Sequence, residues 1–256
     1  NTVLLDKIVP HLPSLDQDKV LRVLGIGSGS GQVEYPFLTA LLKKYPIITN
    51  RVVEPAEDQI IKYKALVQSR IHELQGVRFD WRQQTLNQYR DTDGDGTKFH
   101  FISAIHVMYH VNDVGSSVTY LYDLLEPGGM LLVIILSDQS GLWKLLSHLP
   151  GLLKQGLRPI ISSADIRGPF EARNIPYTNI HRTSEVDITE CFDETSEDGE
   201  LLLDFLVLLQ GFRKRVTASQ YKEVMEYLAS SGCSKKDGGK IILSNDCDAV
   251  IVTKDV

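Results

Sequence analysis

The residues best placed to do chemistry lie in Val23-Leu24-Gly25-Ile26-Gly27-Ser28-Gly29-Ser30-Gly31, where an apolar run passes into the spacing Gly27-x-Gly29-x-Gly31. Glycine has no Cβ to block φ > 0 or close approach, so such a turn can offer bare backbone N–H groups to a ligand. The spacing is not the G-x-G-x-x-G that seats a dinucleotide pyrophosphate on a helix N-terminus. Further on, the run Arg51-Val52-Val53 ends at Glu54, at the distance from the loop where doubly wound folds place the carboxylate that grips ribose hydroxyls. A carboxylate can accept from two vicinal hydroxyls at once. Loop and acid together point to a nucleoside site.

A second candidate is His106, just past the apolar run Phe99–Ile105. An imidazole with its unperturbed pKa of about 6.5 is mostly neutral at pH 7 and can accept a proton or hydrogen bond from an amine. The competing reading is a strand-end histidine bonded to a backbone carbonyl. His106 and His110 are four apart, but no third ligand is near in sequence, so no metal is expected. The acidic loop Asp91-Thr92-Asp93-Gly94-Asp95-Gly96 lacks the closing glutamate of an EF-hand and reads as solvated surface.

These residues need strands and helices to carry them. Periodicity gives strands at 20–25, 47–54, 77–82, 99–107 and 130–136, with Pro127-Gly128-Gly129 as a turn. Helices fall between them: 33–44 with Phe37, Leu38, Leu41 and Leu42 inward, 55–74 with Ile60, Ile61, Tyr63, Leu66 and Ile71 inward, and one opening at Asn112-Asp113. A further helix is expected in the first thirteen residues. Alternating β and α specifies a mostly parallel sheet with ligands at the carboxyl ends of its strands. The second half is less regular: helices at 141–153, 163–172, 199–210 and 218–228, a strand at 177–186, and strands near 240–243 and 249–254 around Ser244-Asn245-Asp246.

Composition narrows the partners. A chain of 256 residues, 43% hydrophobic, can bury a full α/β core. Its net charge of -6 argues against a nucleic-acid surface. The three cysteines, Cys191, Cys233 and Cys247, are odd in number and lack any C-x-x-C, which suits a reduced cytoplasmic compartment and suggests neither a disulfide framework nor zinc. No apolar run reaches the roughly 18 residues of a membrane span. The expected partner is a small molecule, met by a monomer.

The glycine loop with Glu54, and the run Leu125-Glu126-Pro127-Gly128-Gly129-Met130, resemble a class I S-adenosylmethionine-dependent methyltransferase. More specifically, Val52-Val53-Glu54-Pro55 with Gln59-Ile60 and Lys62-Tyr63-Lys64, then Asp187-Ile188-Thr189-Glu190-Cys191-Phe192, resemble the histamine N-methyltransferase family, over nearly the whole chain. The resemblance implies one Rossmann-like α/β domain over 1–256, with a doubly wound, mostly parallel seven-stranded sheet. Helical additions around 141–175 and 187–235 would form the substrate side.

It also implies S-adenosyl-L-methionine as cofactor, released as S-adenosyl-L-homocysteine. Gly27, Ser28, Gly29 and Gly31 would lie against the methionine end, Glu54 on the ribose, with Gln59 nearby and Ile105 at the end of the fourth strand. Leu86 stands where the family has a serine near the adenine, and Thr85 offers a hydroxyl instead. On the acceptor side, Asn245 matches an asparagine lining the amine pocket, and Tyr109 and Phe205 match aromatic pocket residues. His106 replaces a glutamine and His110 a tyrosine, and around Trp143 two family tryptophans are leucines.

The chemistry would be methyl transfer to the nitrogen of a small amine or imidazole compound, with His106 and Asn245 orienting the acceptor. The alternatives are another small acceptor, such as an imidazole dipeptide of the carnosine type or an oxygen, and a non-catalytic protein that binds the cofactor. A nicotinamide-dependent oxidoreductase would share the Glu54 logic but not the glycine spacing.

Overall fold

The computed structural model of the protein describes residues 2–16, 19–92, 96–153 and 160–255. Its strands are β1 (Leu21–Ile26), β2 (Ile48–Val53), β3 (Val77–Arg82), β4 (Phe99–Ile105), β5 (Leu125–Leu136), β6 (Tyr177–Arg182), β7 (Glu185–Asp187), β8 (Ser234–Asp237), β9 (Lys240–Ser244) and β10 (Cys247–Thr253). Seven form one sheet in the order β3-β2-β1-β4-β5-β10-β6. Within it β1 runs parallel to β2 and β4, β2 to β3, and β4 to β5. Winding reverses between β1 and β4, so a crevice opens beyond their carboxyl ends. The alternation in sequence required this arrangement, and the nearly continuous burial of β4 and of Met130–Leu136 is that of strands covered on both faces. The remaining strands make a small antiparallel sheet, β7-β9-β8.

The helices are α1 (Thr2–Ile8), α2 (Glu34–Leu42), α3 (Glu57–Ser69), α4 (Leu86–Thr92), α5 (Val114–Asp123), α6 (Gly141–Leu153), α7 (Ser163–Ala172), α8 (Glu197–Leu206), α9 (Phe212–Arg215) and α10 (Ala218–Leu228). Some of their starts, those of α5, α8 and α10 among them, are set by side chains that satisfy orphan N–H groups. The Asp113 carboxylate accepts from the Ser116 N–H at 3.0 Å to open α5, and Thr217 and Gln220 form a reciprocal capping box on α10. Among the described residues no helix is long and apolar enough to cross a membrane.

Several expectations need correction. On α3 only Ile60 and Tyr63 are buried; Ile61 is 61% exposed, and Ile71 lies past the helix end and is 50% exposed. Adjacent residues of a helix point about 100° apart, so Ile60 and Ile61 cannot share one face. Pro127-Gly128-Gly129 does not interrupt the chain as a turn. It lies inside β5, where pairing with β4 jumps from Phe99↔Leu125 to Phe101↔Met130. The expected strand 177–186 divides into β6 and β7, which join different sheets. The helix expected from Gly199 starts two residues earlier, because the Ser196 hydroxyl caps it by accepting from the Gly199 N–H at 2.9 Å. Helix α4 and strand β8 had no counterpart in the periodicity. Residues 93–95 of the acidic loop lie outside the described residues.

The chain divides into a first unit of residues 1–134, 165–179 and 250–256, and a second of 135–164 and 180–249.

Candidate functional site

In the first unit the turn after β1 requires glycine for different reasons at each position. A Cβ on Gly27 (φ +61) would lie 2.3 Å from Val107 Cγ2, and one on Gly31 (φ +79) would lie 2.1 Å from the Tyr63 ring. Gly29 (φ +55) also takes the left-handed backbone, but a Cβ there would meet nothing within 4 Å. Packing explains Gly27 and Gly31. Gly29 is bounded by open space.

Glu54 ends β2 and is 7% exposed. Its Oε2 accepts from the Gly29 N–H at 2.9 Å and its Oε1 from the Ala56 N–H at 2.9 Å. A carboxylate has about four lone-pair directions, so two remain for ligand hydroxyls. Beside it lies a cavity of about 360 Å³ at the carboxyl ends of β1, β2, β3 and β4, lined in part by Gly27, Glu54, Thr85, His106 and His110. Small-molecule sites start at about 300 Å³. Gln84 and Asn87, which the sequence did not single out, line it too.

His106 is exposed and holds φ +52, the left-handed region that non-glycine residues rarely enter. Its N–H donates to the Ile134 carbonyl at 2.8 Å, and its ring lies nearly parallel to that of Tyr109, 6.4 Å away. Strain of this kind gathers at functional sites. No sequence pattern announces it.

The other first-unit candidates are placed as follows. Ser28 and Ile105 line a smaller cavity with Gly27. The Thr85 hydroxyl accepts from the Gln88 N–H at 3.2 Å while the Gln88 side chain accepts from the Thr85 N–H at 2.9 Å. This reciprocal cap starts α4, and the pattern Thr85-x-x-Gln88 could have revealed that helix. Gln59 does not line the larger cavity; its amide donates to Asp58 at 3.0 Å.

Glu34 was missed. Though it opens α2, it is buried, and its carboxylate accepts from Ser28 Oγ at 2.6 Å, Tyr63 OH at 3.0 Å and Asn50 Nδ2 at 3.5 Å. Burial pushes its pKa up, and the hydrogen bonds from Ser28, Tyr63 and Asn50 only partly offset this. The one available signal was an acid in the first helical turn beside the glycine loop.

In the second unit, Asn245 lies on the turn between β9 and β10, where its N–H donates to the Ser184 carbonyl at 2.8 Å. Trp143 is half-buried in α6, and its Nε1 is buried with no hydrogen-bond partner among the described residues. Phe205 on α8 is 69% exposed, which excludes core packing as its role. A polar cluster lies nearby in sequence: Asp248 accepts from Ser137 Oγ at 3.0 Å and Ser163 Oγ at 2.6 Å, and faces His181 Nδ1 at 2.8 Å. His181 Nε2 lies 3.4 Å from Asp246. The bond to Asp248 raises the His181 pKa against partial desolvation. Among the described residues no group of three or more His, Cys, Asp or Glu could hold a metal ion.

Comparison with known proteins follows the same lines. A family model described as a methyltransferase domain matches residues 3–180. Histamine N-methyltransferase of Xenopus tropicalis is 33% identical over 261 aligned positions, covering 98% of this chain and 88% of that protein. Carnosine N-methyltransferase 2 of Gallus gallus is 31% identical, covering 96% of this chain and 78% of that protein. The crystal structure of the YcgJ protein from Bacillus subtilis superposes with a TM-score of 0.61 at 15% identity over all of both chains, a likeness of fold.

Proposed function

We propose the acceptor and the working residues from the premise that this chain belongs to the histamine N-methyltransferase family of methyltransferase-domain proteins. It is an S-adenosylmethionine-dependent N-methyltransferase of a small amine. Our reading of the acceptor is histamine or a compound like it, an amine carrying an imidazole. The observation that carries the cofactor side is the open face of Gly29 beside a carboxylate with two free lone-pair directions, on a cavity of about 360 Å³.

When bound, the cofactor supplies a methyl group made electrophilic by its sulfonium. The protein's own residues then have three tasks. Glu54 would hold the ribose hydroxyls, the loop Gly27 to Gly31 with Ile105 would hold the amino-acid end, and Thr85 and Gln59 would flank them. His106, with Tyr109 and His110, would meet the acceptor beyond β4 and accept a hydrogen bond or proton from its nitrogen. From the family pattern, Asn245, Trp143 and Phe205 are assigned to acceptor binding as well. In-line displacement needs a neutral nitrogen held at near-attack distance away from water, so orientation is the main contribution. The reading extends to one domain over 1–256 with substrate-side additions around 141–175 and 187–235. It also makes the protein a cytoplasmic monomer with no nucleic-acid partner, supported by the charge of -6 and three free cysteines.

The similarity to carnosine N-methyltransferase 2 favours an imidazole dipeptide as the second acceptor to try. Purified protein, S-adenosylmethionine and a panel of amines, imidazoles and phenols, with products weighed by mass spectrometry, test both. Methylation at nitrogen of an imidazole amine is expected. Cofactor binding with no product from any amine would make this a binding protein, and a methylated phenol would move the chemistry to oxygen.

A further inference from the structure

Behind the glycine turn lies a second, more enclosed cavity of about 50 Å³, lined by Gly27, Ser28, Glu34, Ser103 and Ile105 among others. It shares Gly27 with the larger cavity, so it opens off the same turn. Its size matches a single small polar head; a water molecule's share of liquid volume is about 30 Å³. The one ionisable group in its lining is Glu34.

That carboxylate is unusual in its partners. Ser28, Tyr63 and Asn50 all donate to it, and all are neutral. Among the described residues no Lys, Arg or His pairs with it, and the charge of Glu54 that acts on it is of like sign. Taking a carboxylate out of water without a cation is costly, and buried charges are therefore normally paired. Its position is also built into the turn: Oε1 lies 1.8 Å from where a Cβ on Gly25 would be, so Gly25 is a glycine because Glu34 reaches across it. The fold thus makes room for an anion beside the loop and leaves its countercharge to come from elsewhere.

We propose that Glu34 receives the α-ammonium group of the cofactor's amino-acid end, which enters the small cavity behind Gly27 and pairs with the carboxylate. The inference rests on the reading that the turn binds S-adenosylmethionine. Of that molecule's parts, only the sulfonium and the ammonium are cationic, and the ammonium alone carries N–H donors. Its three donors suit the Glu34 carboxylate together with Ser28 and Ser103, which line the same space.

The test compares two ligands on the wild-type protein and on Glu34→Gln by calorimetry: S-adenosylhomocysteine, and its analogue lacking only the α-ammonium. Wild type should bind the desamino analogue roughly ten- to a hundredfold more weakly, and Glu34→Gln should bind the two about equally, as expected for one charge-assisted pair. Wild type alone supplies a second readout, independent of whether the variant folds. Its preference for the ammonium-bearing ligand should fade as acid protonates Glu34, while a loss of contacts to the nucleoside part would weaken both ligands alike. Equal binding of the two ligands by wild type, or an equal weakening of both in Glu34→Gln, overturns the proposal and leaves the cofactor reading standing. Failure of wild type to bind either ligand overturns both.

Discussion

The Gly29 N–H donates to Glu54 Oε2 at 2.9 Å, so the turn after β1 and the acid after β2 hold each other in place. The carboxylate is therefore more than a ligand contact. It preorganises the turn, and its second oxygen fixes the start of α3 through Ala56.

Replacing Glu54 by alanine should lower cofactor affinity roughly ten- to a hundredfold, the loss expected for a charge-assisted hydrogen-bonding group worth about 1.5–3 kcal/mol. A modest drop in melting temperature should accompany it, because two backbone donors lose their partner. Calorimetry and thermal melting on one preparation separate the two effects. Unchanged affinity would remove Glu54 from the site.

Two glycine variants should behave differently. Gly31→Ala puts a Cβ 2.1 Å from the Tyr63 ring at φ +79 and should destabilise the fold by several kcal/mol through overpacking and a left-handed backbone. Gly29→Ala meets nothing within 4 Å, so its stability cost should stay near the 1–2 kcal/mol of the backbone alone, roughly speaking. Gly29→Val should abolish cofactor binding while the protein still folds. Normal binding by that variant, measured by thermal shift with S-adenosylhomocysteine, would make the loop only a turn.

His106 gives a test of strain against function. Glycine takes φ +52 without penalty, so His106→Gly should raise stability by about 1 kcal/mol while lowering turnover. His106→Gln should shift acceptor preference toward histamine, and His106→Ala should reduce turnover more than it changes cofactor affinity. If neither variant alters steady-state acceptor preference, His106 is structural and attention moves to Tyr109, His110 and Asn245.

The His181 pair predicts a pH dependence of stability. Its pKa is raised in the folded state by Asp248, so its contribution is complete below the ordinary histidine value and is lost as pH rises through the raised one. The melting temperature of wild type should thus exceed that of His181→Gln most at mildly acidic pH, with the gap closing toward alkaline pH. The side chain is 40% exposed, which screens the interaction and keeps the gap small. A gap that widens with pH would refute the assignment.

The buried Glu34 runs the other way. With no cation beside it among the described residues, burial disfavours its charged form and raises its pKa, so its contribution falls as pH rises above the ordinary glutamate range. In the absence of ligand, Glu34→Gln should therefore gain on wild type in melting temperature between acid and neutral pH. A constant difference across that range would mean that the carboxyl titrates normally.

The sequence by itself determined a mostly parallel sheet, the positions of its first strands along the chain, the turn after β1 and the acid after β2. Those features rest on local signals: apolar runs, helical periods and glycines whose spacing is read along the chain. It also carried the family, through stretches such as Val52 to Lys64. Tertiary structure alone decided what a linear reading cannot reach. Glu34 looked like an ordinary helix-start acid until the approach of Tyr63 and Asn50 showed it to be buried. His106 stood out in the sequence for its imidazole, but its left-handed backbone emerged only from the packed chain. The split of 177–186 into β6 and β7 depends on partners more than fifty residues away, since Ser184 donates to Asp246. Burial, strain and long-range pairing belong to the packed chain, and no window of neighbouring residues contains them.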